Sequence, residues 1–233
     1  MKNVFIRALQ SVLLLSFFTT GAYASIVITG TRVIYPSDAK EVSVRVSNKG
    51  KSPVLIQSWI DDGDTQATPD KIKVPFILTP PINRVEAGSG QTLRIRSTVN
   101  SLPKDRESVF WLNVLEIPAV PKAQKEGGEN YLQVAFRSRI KFFYRPATLK
   151  GNTGEAAKKL QWSSVGKTLK VKNPSPYYVS LSSVSVNGKS LDGKMVAPFG
   201  EDTYGASASA GSKVVAEYVS DYGALVKTES VVK

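Results

Sequence analysis

The chain reads as all-β, on three observations. Short segments rich in Val, Ile, Leu, Phe and Trp recur along it, turn residues separate them, and no helical period holds beyond residue 24. The first seven segments are Ser25–Ile34, Glu41–Asn48, Pro53–Ile60, Val74–Leu78, Gln91–Ser97, Ser108–Ile117 and Tyr131–Tyr144. Seven strands in about 120 residues is the count of an immunoglobulin-like sandwich. A second, smaller run of strands follows. The predicted architecture is therefore two immunoglobulin-like β-sandwich domains, set at an angle with a cleft between them.

The chain begins with a targeting signal. Lys2 and Arg7 form a short basic start, and the apolar run Ala8–Phe18 is shorter than a bilayer span needs. Ala22-Tyr23-Ala24 then supplies the small-x-small site that a signal peptidase cuts. Residues 1–24 read as a removed leader, with the mature chain starting at Ser25; a retained membrane anchor is the alternative. No later stretch is long and apolar enough for a membrane helix, so an exported protein without membrane insertion is expected.

The first domain is assigned to residues 25–146. Val42, Val44 and Val46 alternate with Ser43, Arg45 and Ser47, the pattern of a half-buried strand. Tyr35-Pro-Ser-Asp, Asn48-Lys-Gly-Lys-Ser-Pro, Asp61-Asp-Gly-Asp and Glu86-Ala-Gly-Ser-Gly are the turn signals between strands. The last strand is the most informative. Between Asn130 and Pro146 the even positions are Leu132, Val134, Phe136, Ser138, Ile140, Phe142 and Tyr144, and the odd ones include Gln133, Arg137, Arg139, Lys141 and Arg145. This alternation holds for about fourteen residues, more than twice the usual strand length of about five or six. Such a strand can offer its apolar row to another chain or turn it into its own core, and alternation alone favours neither. An uncovered row would also give the free protein a weak tendency to self-associate.

The second domain is assigned to residues 147–233. Lys150-Gly-Asn-Thr-Gly-Glu reads as a linker or first loop. Strands are expected at Leu160–Ser163, Thr168–Val171, Tyr177–Val186, Leu191–Val196 and Val214–Val219, with Ala206–Ser212 a loop. Val186-Asn187-Gly188-Lys189 is a strong hairpin signal, because Asn and Gly tolerate positive φ. The boundary falls at the end of the long strand, which sets its cations beside the cleft.

Composition narrows the function. Removing Lys2 and Arg7 from 31 basic residues leaves 29 against 19 acidic ones, a surplus of ten that favours acidic partners. Export argues against nucleic acid, and charges scattered through strands argue against a membrane surface. The chain has no cysteine and no histidine. The fold must stand without disulfides, and the commonest general base, metal ligand and thiolate nucleophile are all missing. No cofactor or metal is expected. Asp61-Asp-Gly-Asp64 lacks the ligand ladder and terminal Glu of a calcium loop and reads as a turn. Glu107 and Glu116 are a conceivable glycosidase pair, but the sequence does not fix their separation.

Five motifs, in order along nearly the whole mature chain, carry a resemblance. They are Thr79-Pro-Pro-Ile-Asn-Arg-Val-Glu, Leu102-Pro-Lys-Asp-Arg-Glu-Ser-Val-Phe-Trp-Leu-Asn-Val-Leu-Glu-Ile-Pro, Ile140-Lys-Phe-Phe-Tyr-Arg-Pro, Asn173-Pro-Ser-Pro-Tyr-Tyr-Val and Ser220-Asp-Tyr-Gly. Together they resemble the periplasmic pilus-assembly chaperones of the chaperone–usher family. The resemblance implies a periplasmic protein, not an enzyme, whose partners are pilin subunits and an outer-membrane usher. A lone pilin of this kind lacks its last strand, and the chaperone lends one by donor-strand complementation. Each unpaired buried backbone group costs about 1–3 kcal/mol, which the lent strand relieves. By resemblance, Leu132, Val134 and Phe136 fill the pilin groove, and Arg32 and Lys141 grip the subunit's C-terminal carboxylate. A carboxylate only accepts hydrogen bonds, so two cationic donors suit it, and the anchor sets the register of the added strand. Glu107, Arg145 and Asp221 match the family's salt-bridge network between domains. The loop Ala119–Glu129 resembles the short type that serves adhesive rods. The second domain lacks the family's common cysteine pair, and its last strand is expected to be short or unusually paired. The runner-up is a fimbrial structural subunit or a carbohydrate-binding sandwich; a subunit would normally be one domain with a donor tail.

Overall fold

The computed structural model describes residues 25–98, 101–119 and 133–233. The leader, Leu132 and all of the Ala119–Glu129 loop but its first residue lie outside the described residues. Among the described residues nine strands precede Pro146: β1 (Ile26–Ile28), β2 (Arg32–Pro36), β3 (Val42–Asn48), β4 (Val54–Asp61), β5 (Phe76–Thr79), β6 (Ile82–Val85), β7 (Gly90–Ser97), β8 (Ser108–Pro118) and β9 (Phe136–Arg145). They form two sheets, ordered β1-β3-β7-β5 and β2-β9-β8-β4-β6. Inward residues of both sheets, among them Val46, Ile56, Leu93, Leu112 and Phe142, make one apolar core.

The segment expected as a single first strand, Ser25–Ile34, is two. β1 pairs with β3 in one sheet, and β2 runs parallel to β9 in the other. The crossing is at Gly30, whose φ of +92° a side chain would resist. Arg32 therefore opens β2 instead of closing a long first strand. β6 was also not expected: its four residues follow two prolines, and it lies at a sheet edge against β4.

The long strand is shorter than its alternation implied. β9 starts at Phe136, and Gln133–Ala135 are outside any strand. The physical reason is loss of partners. The last pair with β8 is Glu116↔Phe136, β8 ends at Pro118, which has no N–H, and β2 reaches back only to Lys141. The strict alternation also fails at the other end. Phe142, Phe143 and Tyr144 are all buried, because Phe142 and Tyr144 enter the core while Phe143 packs on Tyr178 of the second domain at 5.8 Å.

Beyond Pro146 the order is α1 (Thr153–Lys158), β10 (Gln161–Val165), β11 (Thr168–Lys172), β12 (Val179–Val186), β13 (Lys189–Asp192), β14 (Met195–Val196), β15 (Glu201–Tyr204), β16 (Lys213–Val219) and β17 (Leu225–Val231). One sheet is β10-β11-β15; the other is β13-β12-β16-β17, with β14 also on β12. A second core gathers Trp162, Leu169, Val184, Val214 and Ala216 among others. The hairpin at Asn187 and Gly188 has φ of +50° and +73°, as its sequence predicts.

The helix α1 stands where a linker or loop was expected. Asn152 caps it by accepting from the Glu155 N–H at 2.9 Å, and Ala156 and Ala157 enter the second core. Six residues are too few for a helical period to show. The last strand is likewise neither short nor oddly paired. β17 has seven residues in regular antiparallel register with β16, from Lys213↔Val231 to Val219↔Leu225. Leu225, Val226 and Val231 are exposed, so it shows no clean alternation.

Candidate functional site

β9 is held differently along its length. From Lys141 to Tyr144 it lies between β2 and β8; from Phe136 to Ile140 it pairs with β8 alone among the described residues. The outer edge of that first half therefore presents unpaired backbone groups. Its apolar row is open too: Val134 is 47% exposed and Phe136 66%, whereas Phe142 is fully buried. The third residue expected in that row, Leu132, lies outside the described residues. The odd face is buckled down. Arg139 pairs with Asp61 and lies over the Trp111 ring at 4.6 Å, while Arg137 donates to the Thr65 carbonyl at 3.0 Å. Burial opposes ionisation of Asp61, but bonds from Arg139, Asn113 and the Gly63 N–H outweigh it and hold its pKa low. A residue read as part of a simple turn thus also anchors β9.

Arg32 and Lys141 are register partners where β9 enters the parallel pairing. Arg32 Nη1 donates to the Val219 carbonyl at 2.9 Å, and Lys141 Nζ to Ser180 Oγ at 3.1 Å, both groups of the second domain. Neither cation ion-pairs with a carboxylate among the described residues, and Arg32 Nε makes no hydrogen bond to the protein. Burial, then the positive charge of Arg32, pushes the Lys141 pKa down; burial also lowers that of Arg32. Two half-buried like charges side by side favour an anion between them.

The third group sits two pleat repeats further on, at the end of β9. Arg145 Nε donates to Glu107 at 2.6 Å, Nη1 and Nη2 donate to the two Asp221 oxygens at 2.7 and 2.9 Å, and Nη2 also donates to Thr153 Oγ1 at 3.2 Å. Thr153 in turn donates to Asp221 at 2.9 Å, and the Tyr178 N–H to Glu107 at 2.8 Å. The planar fork of arginine thus spans carboxylates from both domains. For Asp221, burial is outweighed by Arg145, and its pKa falls below the usual carboxylate range; for Glu107, only 2% exposed, burial wins and the pKa rises. Thr153, Ser180 and the Val219 carbonyl carry no sequence signal of these contacts, since isolated hydroxyls and backbone groups have no pattern. Glu107 and Glu116 stand at opposite ends of β8, nine residues or about 30 Å apart along the strand.

The comparisons with known proteins now bear on this arrangement. Residues 25–150 match the family model described as pili and flagellar-assembly chaperone, PapD N-terminal domain, and residues 155–230 match that of the pili assembly chaperone PapD, C-terminal domain. The chain belongs to the pili-assembly chaperones. It is 50% identical to the probable fimbrial chaperone YadV of Escherichia coli K12 over 90% of this chain and 91% of that one. It is 48% identical to the chaperone protein MrkB of Klebsiella pneumoniae, over 93% and 95%. Among solved structures, the CupB2 chaperone of Pseudomonas aeruginosa superposes with a TM-score of 0.76 at 40% identity, covering 89% of this chain and all of that one. A Salmonella enterica complex of SafA pilin with the SafB chaperone matches with a TM-score of 0.78 at 30% identity, over 91% and 98%. The family and fold are those the motifs resembled, and chaperone function in pilus assembly replaces the structural-subunit and carbohydrate-binding alternatives.

Proposed function

We propose that this chaperone captures pilin subunits in the periplasm by laying the first half of β9 into their open groove, then passes them to an outer-membrane usher. The observation that carries the reading is the half-paired β9, with Val134 and Phe136 uncovered and a cation pair at its upper end. An added strand would find backbone partners on the free edge and apolar side chains beside it. Each side chain such a groove fully buries contributes about 1.5–3 kcal/mol. Leu132 extends the row by its place in the alternation. Arg32 and Lys141 take the subunit's terminal carboxylate, which sets the register. Glu107, Arg145 and Asp221 orient the two domains. The SafA–SafB complex supports the reading by analogy, as a pilin held by a chaperone of this family.

The remaining assignments belong to the same reading. Residues 1–24 are a leader removed on export, 25–146 the domain bearing the donor strand, and 147–233 the second sandwich. No helix among the described residues is long and apolar enough to cross a membrane. We assign no catalysis: Glu107 serves Arg145, Glu116 lies far along β8, and the chain has no histidine or cysteine. The test is co-expression of the exported chain with candidate pilins, recovering a one-to-one complex. Arg32→Ala is expected to weaken capture by about 2–5 kcal/mol while the free protein keeps its melting profile. Undiminished pilin recovery with both Arg32→Ala and Lys141→Ala in place would overturn the anchor.

A further inference from the structure

The inward row of β8 ends on a charge. Phe110, Leu112 and Val114 are buried in the first core, and the next residue on that face, Glu116, is half-buried. Its two oxygens turn to the start of the described chain. The Ser25 hydroxyl donates to one, and the Ile26 N–H donates to the other at 3.1 Å. Ser25 is held from the opposite side as well, where its carbonyl accepts from the Lys49 N–H at 2.6 Å. Glu116 has no ion-pair partner among the described residues. Covalent geometry puts the Ser25 nitrogen three bonds, about 4 Å at most, from the Ile26 nitrogen that already touches the carboxylate.

We propose that leader removal creates an ionic site here: the α-ammonium freed on Ser25 becomes the counter-ion of Glu116. The proposal rests on the reading that the mature chain begins at Ser25. In the uncut chain that nitrogen is a neutral amide and the inward carboxylate has only dipoles for company. Once cut, the same atom is a cation within about 7 Å of the carboxylate, a gap that a small swing of the freed terminus closes. The place matters because Glu116 stands directly opposite Phe136, the first residue of β9. Cross-strand partners have Cβ atoms about 4.5–5.5 Å apart, so pinning Glu116 steadies the platform from which the open row projects. The ion pair would therefore form opposite the first residue of the open row, and only after the leader is removed.

Periodate reads this site directly. An N-terminal serine carries an amine and a hydroxyl on adjacent carbons, and periodate cleaves the bond between them, leaving an aldehyde seen by mass spectrometry of the terminal peptide. Attack needs the free amine, while the proposed site holds the protonated amine and the hydroxyl against one carboxylate. Native wild-type protein is expected to react about fivefold more slowly than Glu116→Gln, the scale of one partly exposed ion pair. Gln loses the charge and keeps one of the two acceptor oxygens, so the salt dependence separates the ion pair from the lost hydrogen bond. Raising salt should speed the wild type and leave the variant unchanged. Equal native rates in both proteins, with no salt effect on the wild type, would overturn the proposal while leaving the leader reading in place. No aldehyde even from urea-unfolded chain would mean that the chain does not begin at Ser25, and both would fall.

Discussion

Phe142 and Phe136 lie on the same face of the same strand, six residues apart, yet one is fully buried and the other 66% exposed. Phe142 meets Phe76 at 4.8 Å and Tyr35 at 5.9 Å, and its strand is flanked on both edges. Among the described residues Phe136 has only β8 beside it, and the core row beneath it ends in Glu116. Side-chain alternation therefore reports which face a residue lies on, and the neighbouring strands decide whether that face is covered. A chaperone that lends part of itself needs both halves: one fixed in its own core, the other held out by it.

The comparison can be broken most forcefully at its buried end. Phe142→Ala is expected to cost about 3–5 kcal/mol, seen as a lower urea midpoint at unchanged slope, whereas Phe136→Ala should stay within about 0.5 kcal/mol. Similar losses for the two would mean that the open half is packed in solution.

A smaller effect tests the clamp above the strand. Asp221→Asn weakens two charge-assisted bonds to Arg145 and is expected to cost about 1.5–3 kcal/mol. The Asp221 pKa is depressed in the folded state, so its contribution is present above the unfolded value of about 3.9 and is lost as pH falls through the lower folded value. The stability gap between wild type and Asp221→Asn, measured by urea titration, should accordingly be full at pH 7 and close on acidification below about pH 4.

The smallest effect concerns the open row meeting a second copy of itself. Two exposed side chains contributing about 1.5–3 kcal/mol each would give a dissociation constant of about 40 μM at the very tightest, and the lost freedom of association weakens it to the order of 1 mM or more. Sedimentation should show weak association that Val134→Lys abolishes. Concentration-independent monomers would remove this expectation without touching pilin capture.

Much of this was legible in the sequence because the motifs are local. The β-rich pattern, the Asn187-Gly188 hairpin and most strand positions follow from spacing and turn chemistry that act over a few residues. What escaped depends on partners far along the chain. The break of the first strand at Gly30 follows from β1 and β2 joining different sheets, and the late start of β9 from where β2 and β8 run out. The helix α1 was too short to show a period, and β17 exposes too many apolar residues to alternate. For the site, Arg32, Lys141, Glu107, Arg145 and Asp221 were singled out through the resemblance to known motifs; charge pattern alone does not distinguish them from solvated surface groups. The Asp61–Arg139 buckle joins residues 78 positions apart, and neither has a local signature.

Amide hydrogen exchange over β9, free and with a pilin bound, tests the central claim most directly. Within Phe136–Ile140, the amides that face the free edge should exchange quickly in the free protein and become strongly protected in the complex, while those bonded to β8 and those of Phe142–Arg145 are protected in both. A complex that forms with no added protection at Phe136–Ile140 would contradict the account and move the pilin to another surface.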